Sequence, residues 1–253
     1  MRITSCGITD VGMKRSNNED NYLVNEELGL YVVCDGMGGH AGGEFASAIA
    51  VNTIEEVLAT LATSAEEDVA REDGEVEVVR ERVRHAVRLA GRRIHEKAQA
   101  EPEYRGMGTT ALVLVFRGHN AYVAHVGDSR GYLVRDGRIE QLTEDHSLVN
   151  DKVRAGLITA EEAKTHRLKN VITRSLGYQE DVEVDVQVQA VRRGDRFLLC
   201  SDGLSNLVDA RDLGETVRQL GPQEAARHLV QLACRNGGDD NITAIVARVD
   251  ELG

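Results

Sequence analysis

The chain has 253 residues with 42 acidic and 30 basic side chains, a net charge of −12. It therefore lacks the clustered Lys and Arg that sequence-independent nucleic-acid binding requires. Its 42% hydrophobic and 28% charged residues make a globular composition, and no apolar run approaches the ~20 residues of a membrane helix.

In chain order, the N-terminus carries no apolar secretion signal, and Leu30 to Cys34 reads as a buried strand. Ile49, Ile54, Val57, Leu58 and Leu61 fall on one helical face, as do Val76, Val79, Val83, Val87, Ala90 and Ile94. Between them, Ala62 to Gly74 is acidic and poor in apolar residues, which predicts a solvated loop or frayed helix end. Thr110 to Phe116 and Ala121 to Val126 are strand-like. From Val182 to Val188 valines alternate with polar residues, the pattern of a strand with one wet face. Phe197 to Cys200 follows as a strand, Pro222 opens a helix that turns Ala226, Leu229, Val230 and Ala233 inward and stops at Gly237, and Ile242 to Val249 closes the chain as a strand. Strands and helices do not alternate strictly, so the pattern predicts one α+β domain spanning 1–253 with a mixed sheet or two stacked sheets and helices outside. Cys6, Cys34, Cys200 and Cys234 have no Cys-x-x-Cys spacing and read as free, mostly buried thiols of a soluble cytoplasmic protein.

Several phosphate-handling signatures are absent: no Gly-Lys for a Walker loop, no His-Arg-Asp, no His-Glu-x-x-His, and no cysteine followed six positions on by Arg. Gly36-Met37-Gly38-Gly39-His40-Ala41 meets a loose dinucleotide pattern, but the interval that should hold a second strand reads as helix. Apolar runs instead begin or stop at aspartates: Asp35-Gly36, Gly127-Asp128, Asp202-Gly203 and Asp239-Asp240. Asp-Gly is foremost a turn signal, and Asp136-Gly137, flanked by two short strand-like runs, is a hairpin turn without chemistry. Asp35 and Asp202 differ because a strand leads into each and none follows directly. Carboxylates gathered in one place require cations, and an all-oxygen donor set suits Mg²⁺ or Mn²⁺, with two ions able to activate water against a phosphate ester.

These residues resemble the metal-dependent type-two-C serine/threonine protein phosphatases, the PPM family. The resemblance rests on Asp10-x-Gly12-x-x-Arg15-x-x-Asn18-Glu19-Asp20, Asp35-Gly36-Met37-Gly38-Gly39-His40, Gly108-Thr109-Thr110, Gly127-Asp128-Ser129-Arg130, Ser201-Asp202-Gly203-Leu204 and Gly238-Asp239-Asp240-Asn241-Ile242-Thr243, in the family's order. It implies a four-layer α/β/β/α sandwich of two antiparallel sheets between helices. It also implies a binuclear Mn²⁺ or Mg²⁺ centre in which Asp35 bridges, Gly36 lends its carbonyl to one ion, and Asp202 and Asp240 hold the other. Glu19 and Asp20 would stand at the edge of that centre, and Asp128 would help bind a weaker third ion beneath a flap at about 146–170.

By the same resemblance Arg15 grips the phosphate through its planar fork, and His40 protonates the leaving serine or threonine oxygen. No role is read for the other histidines. The implied reaction is hydrolysis of phosphoserine and phosphothreonine in proteins by a water held between the two ions, reversing a Ser/Thr kinase. The expected partners are phosphoproteins, that kinase and its substrates, with no nucleic acid and no membrane. The chain is expected to be a free-standing monomer. A silent relative that binds a phosphoprotein or regulator is disfavoured by the intact Asp35, Asp202, Asp240 and Arg15, and a two-metal phosphodiesterase acting on nucleotides or nucleic acid by the charge and the scarcity of aromatics.

Overall fold

The computed structural model describes residues 1–38, 42–64 and 72–252. In chain order its elements are β1 (Arg2–Asp10), β2 (Asp20–Asn25), β3 (Leu30–Met37), α1 (Gly42–Ser64), α2 (Glu72–Ala100), β4 (Gly108–Thr109), β5 (Ala111–Arg117), β6 (Asn120–Val126), β7 (Arg130–Arg135), β8 (Arg138–Gln141), α3 (Leu148–Arg154), α4 (Ala160–Thr165), β9 (Asp185–Ala190), β10 (Arg196–Cys200), α5 (Asp202–Ser205), α6 (Ala210–Gln219), α7 (Pro222–Arg235) and β11 (Ile242–Glu251). One antiparallel sheet runs β1-β11-β10-β7-β8, and the other runs β2-β3-β5-β6-β9 with β4 beside β3.

Period-two alternation builds three cores from these two sheets. Leu30, Val32 and Cys34 of β3 and Ala111, Val113 and Val115 of β5 pack against α1 and α2. The intervening Tyr31, Val33, Leu112, Leu114 and Phe116 point the other way, against Phe197, Leu199, Ile245 and Ala247 of the second sheet. There Phe116 meets Tyr31 and Phe197 edge-on, at 5.9 and 5.3 Å between ring centres. Leu198, Cys200, Ala244 and Val246 face Leu213, Val217, Leu229 and Val230 of α6 and α7. The order is thus helices, sheet, sheet, helices, the expected four-layer α+β sandwich. No helix among the described residues is long and apolar enough to cross a membrane.

The structure departs from the expectations at three points. β1 and β2 carry no strand signal in the sequence because their residues are half-exposed and polar-mixed; they are strands because β11 and β3 offer them ladders. Ala62 to Gly74 holds helix ends, one of the two expected forms, with 62–64 ending α1 and 72–74 beginning α2; 65–71 and the side chain of Leu61 lie outside the described residues. The ladder at Val182 to Val188 starts only at Asp185, although Val182, Val184, Val186 and Val188 do share one apolar face. β3 runs through Asp35 and Gly36 to Met37, so Asp35 is a strand residue and not the end of one.

The edge beside β9 is closed by arginines at i, i+4 and i+8 of α2: Arg80, Arg84 and Arg88 donate to the carbonyls of Val186, Val184 and Val182 at 3.2, 3.5 and 3.3 Å. Four residues of helix rise about 6 Å and two of strand about 6.7 Å, so successive arginines meet alternate carbonyls. An edge covered this way offers no template for another strand.

Candidate metal centre

The Asp35-Gly36 pair inside β3 and the Asp202-Gly203 pair that opens α5 differ from the hairpin pair in their backbone. Asp136 and Gly137 both have positive φ, 51° and 77°, as a tight hairpin turn demands. Gly36 and Gly203 do not need positive φ; they are glycine for space. A Cβ on Gly36 would strike the carbonyl oxygens of Gly43 and Glu19, and one on Gly203 the carbonyl of Asn241. Each glycine lets a second segment press against the strand end, which gathers the acidic groups.

Asp35 lies opposite Asp20 in the β2–β3 ladder and is fastened to the other neighbour by Asp35 N–H to Thr110 Oγ1 at 2.9 Å and Thr110 N–H to Asp35 O at 2.9 Å. Asp202 opens α5 directly after β10, with Ser201 as its N-cap residue. Asp240 precedes β11, and Asp128 sits on the turn that carries the chain from β6 in one sheet to β7 in the other. Asp20 accepts from Ser201 Oγ at 2.8 Å and Thr243 Oγ1 at 2.6 Å, while its Oδ1 is buried with no hydrogen-bond partner.

These aspartates are close enough to resist one another's ionisation. Burial and then the charges of Asp20, Asp202, Asp128 and Asp240 push Asp35 well above the carboxylate range. Burial raises Asp20 to about 7, with Asp202 and Asp240 adding to it against the Thr243 and Ser201 hydrogen bonds. Asp128 is likewise raised to about 7 by burial, Asp202 and Asp145. Burial and Asp240 raise Asp202, opposed by Asp35, Arg130 and Arg15. Glu19 is raised by burial and by Asp240 and Glu44, with Arg15 opposing.

Arg15 reaches the cluster, donating from Nη2 to Asp240 Oδ2 at 2.8 Å, and half of its side chain stays exposed. Its partner is Asp240 and not Glu19. His40 and Gly39 lie outside the described residues. The expected flap holds α3 and α4, and a cleft of about 620 Å³ between it and α5–α6 opens onto Asp128 and Asp202.

Sequence reasoning gave no role to the residues that brace the site. Buried Asn241 accepts from Glu19 N–H at 2.8 Å and donates to the carbonyls of Val11 and Asn17 at 3.0 and 2.8 Å, pinning the loop that bears Arg15. Arg130 forks onto Asp145, with Nε and Nη2 at 3.0 and 2.6 Å. Both stood in the motifs; what they touch depends on which loops meet. Cys34 and Cys200 are fully buried and their thiols are pushed up, Cys200 to about 12, chiefly by burial, so neither is a nucleophile.

Known proteins share this fold and much of this sequence. The chain is 39% identical to the protein phosphatase PhpP of Streptococcus pneumoniae, with 96% of each chain covered. It is 39% identical to the serine/threonine protein phosphatase PstP of Mycobacterium tuberculosis over 95% of its own length, and spans 44% of that relative. A crystal structure of the PstP catalytic domain with two manganese ions superposes with a TM-score of 0.82 at 36% identity, covering 98% and 99% of the two chains. The model of the family described as Protein phosphatase 2C matches residues 7–242, a span that takes in every acidic residue of the cluster, and the chain belongs to that family.

Proposed function

We propose that the chain hydrolyses phosphoserine and phosphothreonine in proteins, as a single catalytic domain over 1–253 with a flap at about 146–170. The observation that carries this reading is the convergence of Asp20, Asp35, Asp128, Asp202 and Asp240 from both sheets on one place, where burial and then mutual repulsion raise the carboxyls of Asp20, Asp35, Asp128 and Asp202 above the usual range. Divalent cations would reverse that repulsion. The donors are all hard oxygens, and the orphaned Oδ1 of Asp20 is an open ligand position, so the residues fit Mn²⁺ or Mg²⁺. The manganese in the related catalytic domain supports the same reading.

Asp35 would bridge two ions, the Gly36 carbonyl completing one and Asp202 and Asp240 the other. Asp20 and Glu19 would stand at the edge, and Asp128 would hold a weaker third. Bound there, the ions supply an activated water and offset the charge of the phosphate. Arg15 turns its fork from Asp240 to the phosphate oxygens and orients them. His40 gives its proton to the departing serine or threonine oxygen, a task suited to a group titrating near neutrality. The cleft beside the flap receives the polypeptide around the phosphorylated residue.

The partners on this reading are phosphoproteins and the Ser/Thr kinase whose work is reversed, met by a monomer in the cytoplasm. The test is hydrolysis of a phosphothreonine peptide with Mn²⁺, with Mg²⁺ and with chelator. Turnover is expected only with metal, in the millimolar range, and full turnover after exhaustive metal removal would refute the reading.

A further inference from the structure

Outside the carboxylate cluster, His125, His146 and Asp185 bring three ligand atoms within 4.8 Å of one another. The hydrogen bonds decide what this trio does. A backbone N–H can only donate, and Gly127 N–H points at His146 Nδ1 from 3.1 Å, so Nδ1 is the acceptor and the neutral ring carries its proton on Nε2. That proton faces Asp185 Oδ2 at 2.9 Å. Arg174 Nη1 stands 3.2 Å from the same Nε2 and 3.4 Å from the same carboxylate oxygen. Both imidazole nitrogens are engaged and a guanidinium stands beside them, which leaves no lone pair for a metal ion. Partial burial alone would raise Asp185, but the hydrogen bond from His146 and the electrostatic pull of the two imidazoles and Arg174 outweigh it and hold the carboxyl below its usual range.

His146 grips Gly127 twice, since its own N–H also donates to Gly127 O at 2.9 Å. Gly127 has φ 104°, and a Cβ there would collide with Thr110, so the position takes glycine, whose backbone supplies little stiffness and leaves the turn to be fixed by what grips it. On the other side, His146 accepts from Thr173 N–H at 2.8 Å, and Leu148 N–H donates to Val171 O at 2.8 Å, closing the two ends of the flap on each other. The ring is 6% exposed and stacks on His125 at 4.7 Å.

We propose that His146, oriented by Asp185, is a positioning residue that holds the Gly127–Asp128 turn, and through it Asp128, in fixed register with the base of the flap. The inference rests on the proposed reading of Asp128 as a metal ligand. Loss of the grip would let the carboxyl drift and weaken metal binding while the ligand itself remains.

The test follows p-nitrophenyl phosphate hydrolysis and, separately, the rise in melting temperature against Mn²⁺ concentration in the full chain and in His146→Ala, Asp128→Asn and the double variant. Thermal unfolding in chelator confirms that each is folded. Removing an outer partner of a metal ligand weakens metal affinity by about 10–100-fold. His146→Ala is therefore expected to raise the half-activating Mn²⁺ concentration about tenfold or more, and to add nothing to Asp128→Asn. His146→Asn, whose Oδ1 can take the place of Nδ1 before Gly127 N–H, is expected to recover most of the loss, and His146→Gln is not. Should His146→Ala fail to fold, the Asn and Gln pair alone decides.

Losses that multiply in the double variant, or equal losses in the Asn and Gln variants, would overturn the inference. So would a zinc ion held by the full chain and lost from His146→Ala. An unchanged Mn²⁺ curve for Asp128→Asn by itself would remove Asp128 from the metal site, so that failure of the underlying reading is seen separately.

Discussion

Replacing Asp20 by Asn isolates the electrostatic load of the metal-free site. In the native state Asp20 titrates at about 7, against 3.8 for an ordinary aspartate, chiefly because it is buried and then because Asp202 and Asp240 are near. A carboxyl whose native value is raised favours its protonated form in the fold. As pH rises from about 4, the unfolded chain releases this proton and the native chain keeps it, so stability falls until about pH 7 and then levels. At about 1.36 kcal/mol for each tenfold step, the fall is on the order of 4 kcal/mol, or roughly 10 °C in melting temperature for a domain of this size. The opposite slope, a gain with rising pH, is what paired surface carboxylates such as Asp250 contribute, held low chiefly by its hydrogen bond from Thr4.

In Asp20→Asn the amide oxygen can still accept from Ser201 and Thr243, and its NH₂ replaces an oxygen that already has no partner. The variant therefore carries a pH-independent cost of about 1–3 kcal/mol but not the pH-dependent one. Unfolding of both proteins in chelator, from pH 4 to 8, is expected to show the stability difference moving by about 4 kcal/mol in the variant's favour. Added Mn²⁺ at pH 7 should rescue the unsubstituted chain more than the variant. A difference that stays constant within about 1 kcal/mol across that range would refute the reasoning.

Asp202→Asn and Asp240→Asn are each expected to lower turnover by several orders of magnitude, because each removes a charge from the proposed metal site and leaves core packing intact; Asp136→Asn is the matched silent control, since Asn also tolerates the positive φ found there. Steady-state kinetics on a phosphothreonine peptide check both, and half-maximal activity in either site variant would exclude that residue. His40→Ala should damage phosphothreonine hydrolysis far more than p-nitrophenyl phosphate hydrolysis, whose leaving group scarcely needs a proton, while Arg15→Ala should mainly raise KM. Equal fractional losses on the two substrates would end the acid assignment. Thiol alkylation of the folded protein should leave the rate nearly unchanged, because Cys34 and Cys200 are fully buried and no cysteine is among the groups proposed to hold metal or phosphate; inactivation that tracks labelling would contradict this.

The carboxylates were legible in the sequence because strands are local. An apolar run that meets an aspartate announces its chemistry within a few residues, and the fixed order of such runs pointed to the family and the sandwich. The hairpin at Asp136-Gly137 was legible for the same reason, since its two positive φ values are a property of the dipeptide. β1 and β2 were not legible, because half-exposed strands exist only by virtue of the ladders their neighbours offer. Nor could the sequence say why Gly36 and Gly203 are glycines: the reason is the approach of Gly43, Glu19 and Asn241, which are near only in the fold. Asp20 is raised to about 7 by burial beneath two sheets and by aspartates that lie up to 220 positions away along the chain, from 20 to 240. His146 shows the same division: its residue type was plain, but the grip on Gly127 and the proton directed to Asp185 arise only because the crossover between the sheets, the flap base and the edge strand meet at one point. Local pattern determined which groups the chain possesses, and tertiary packing decided which of them lie close enough to act on one another.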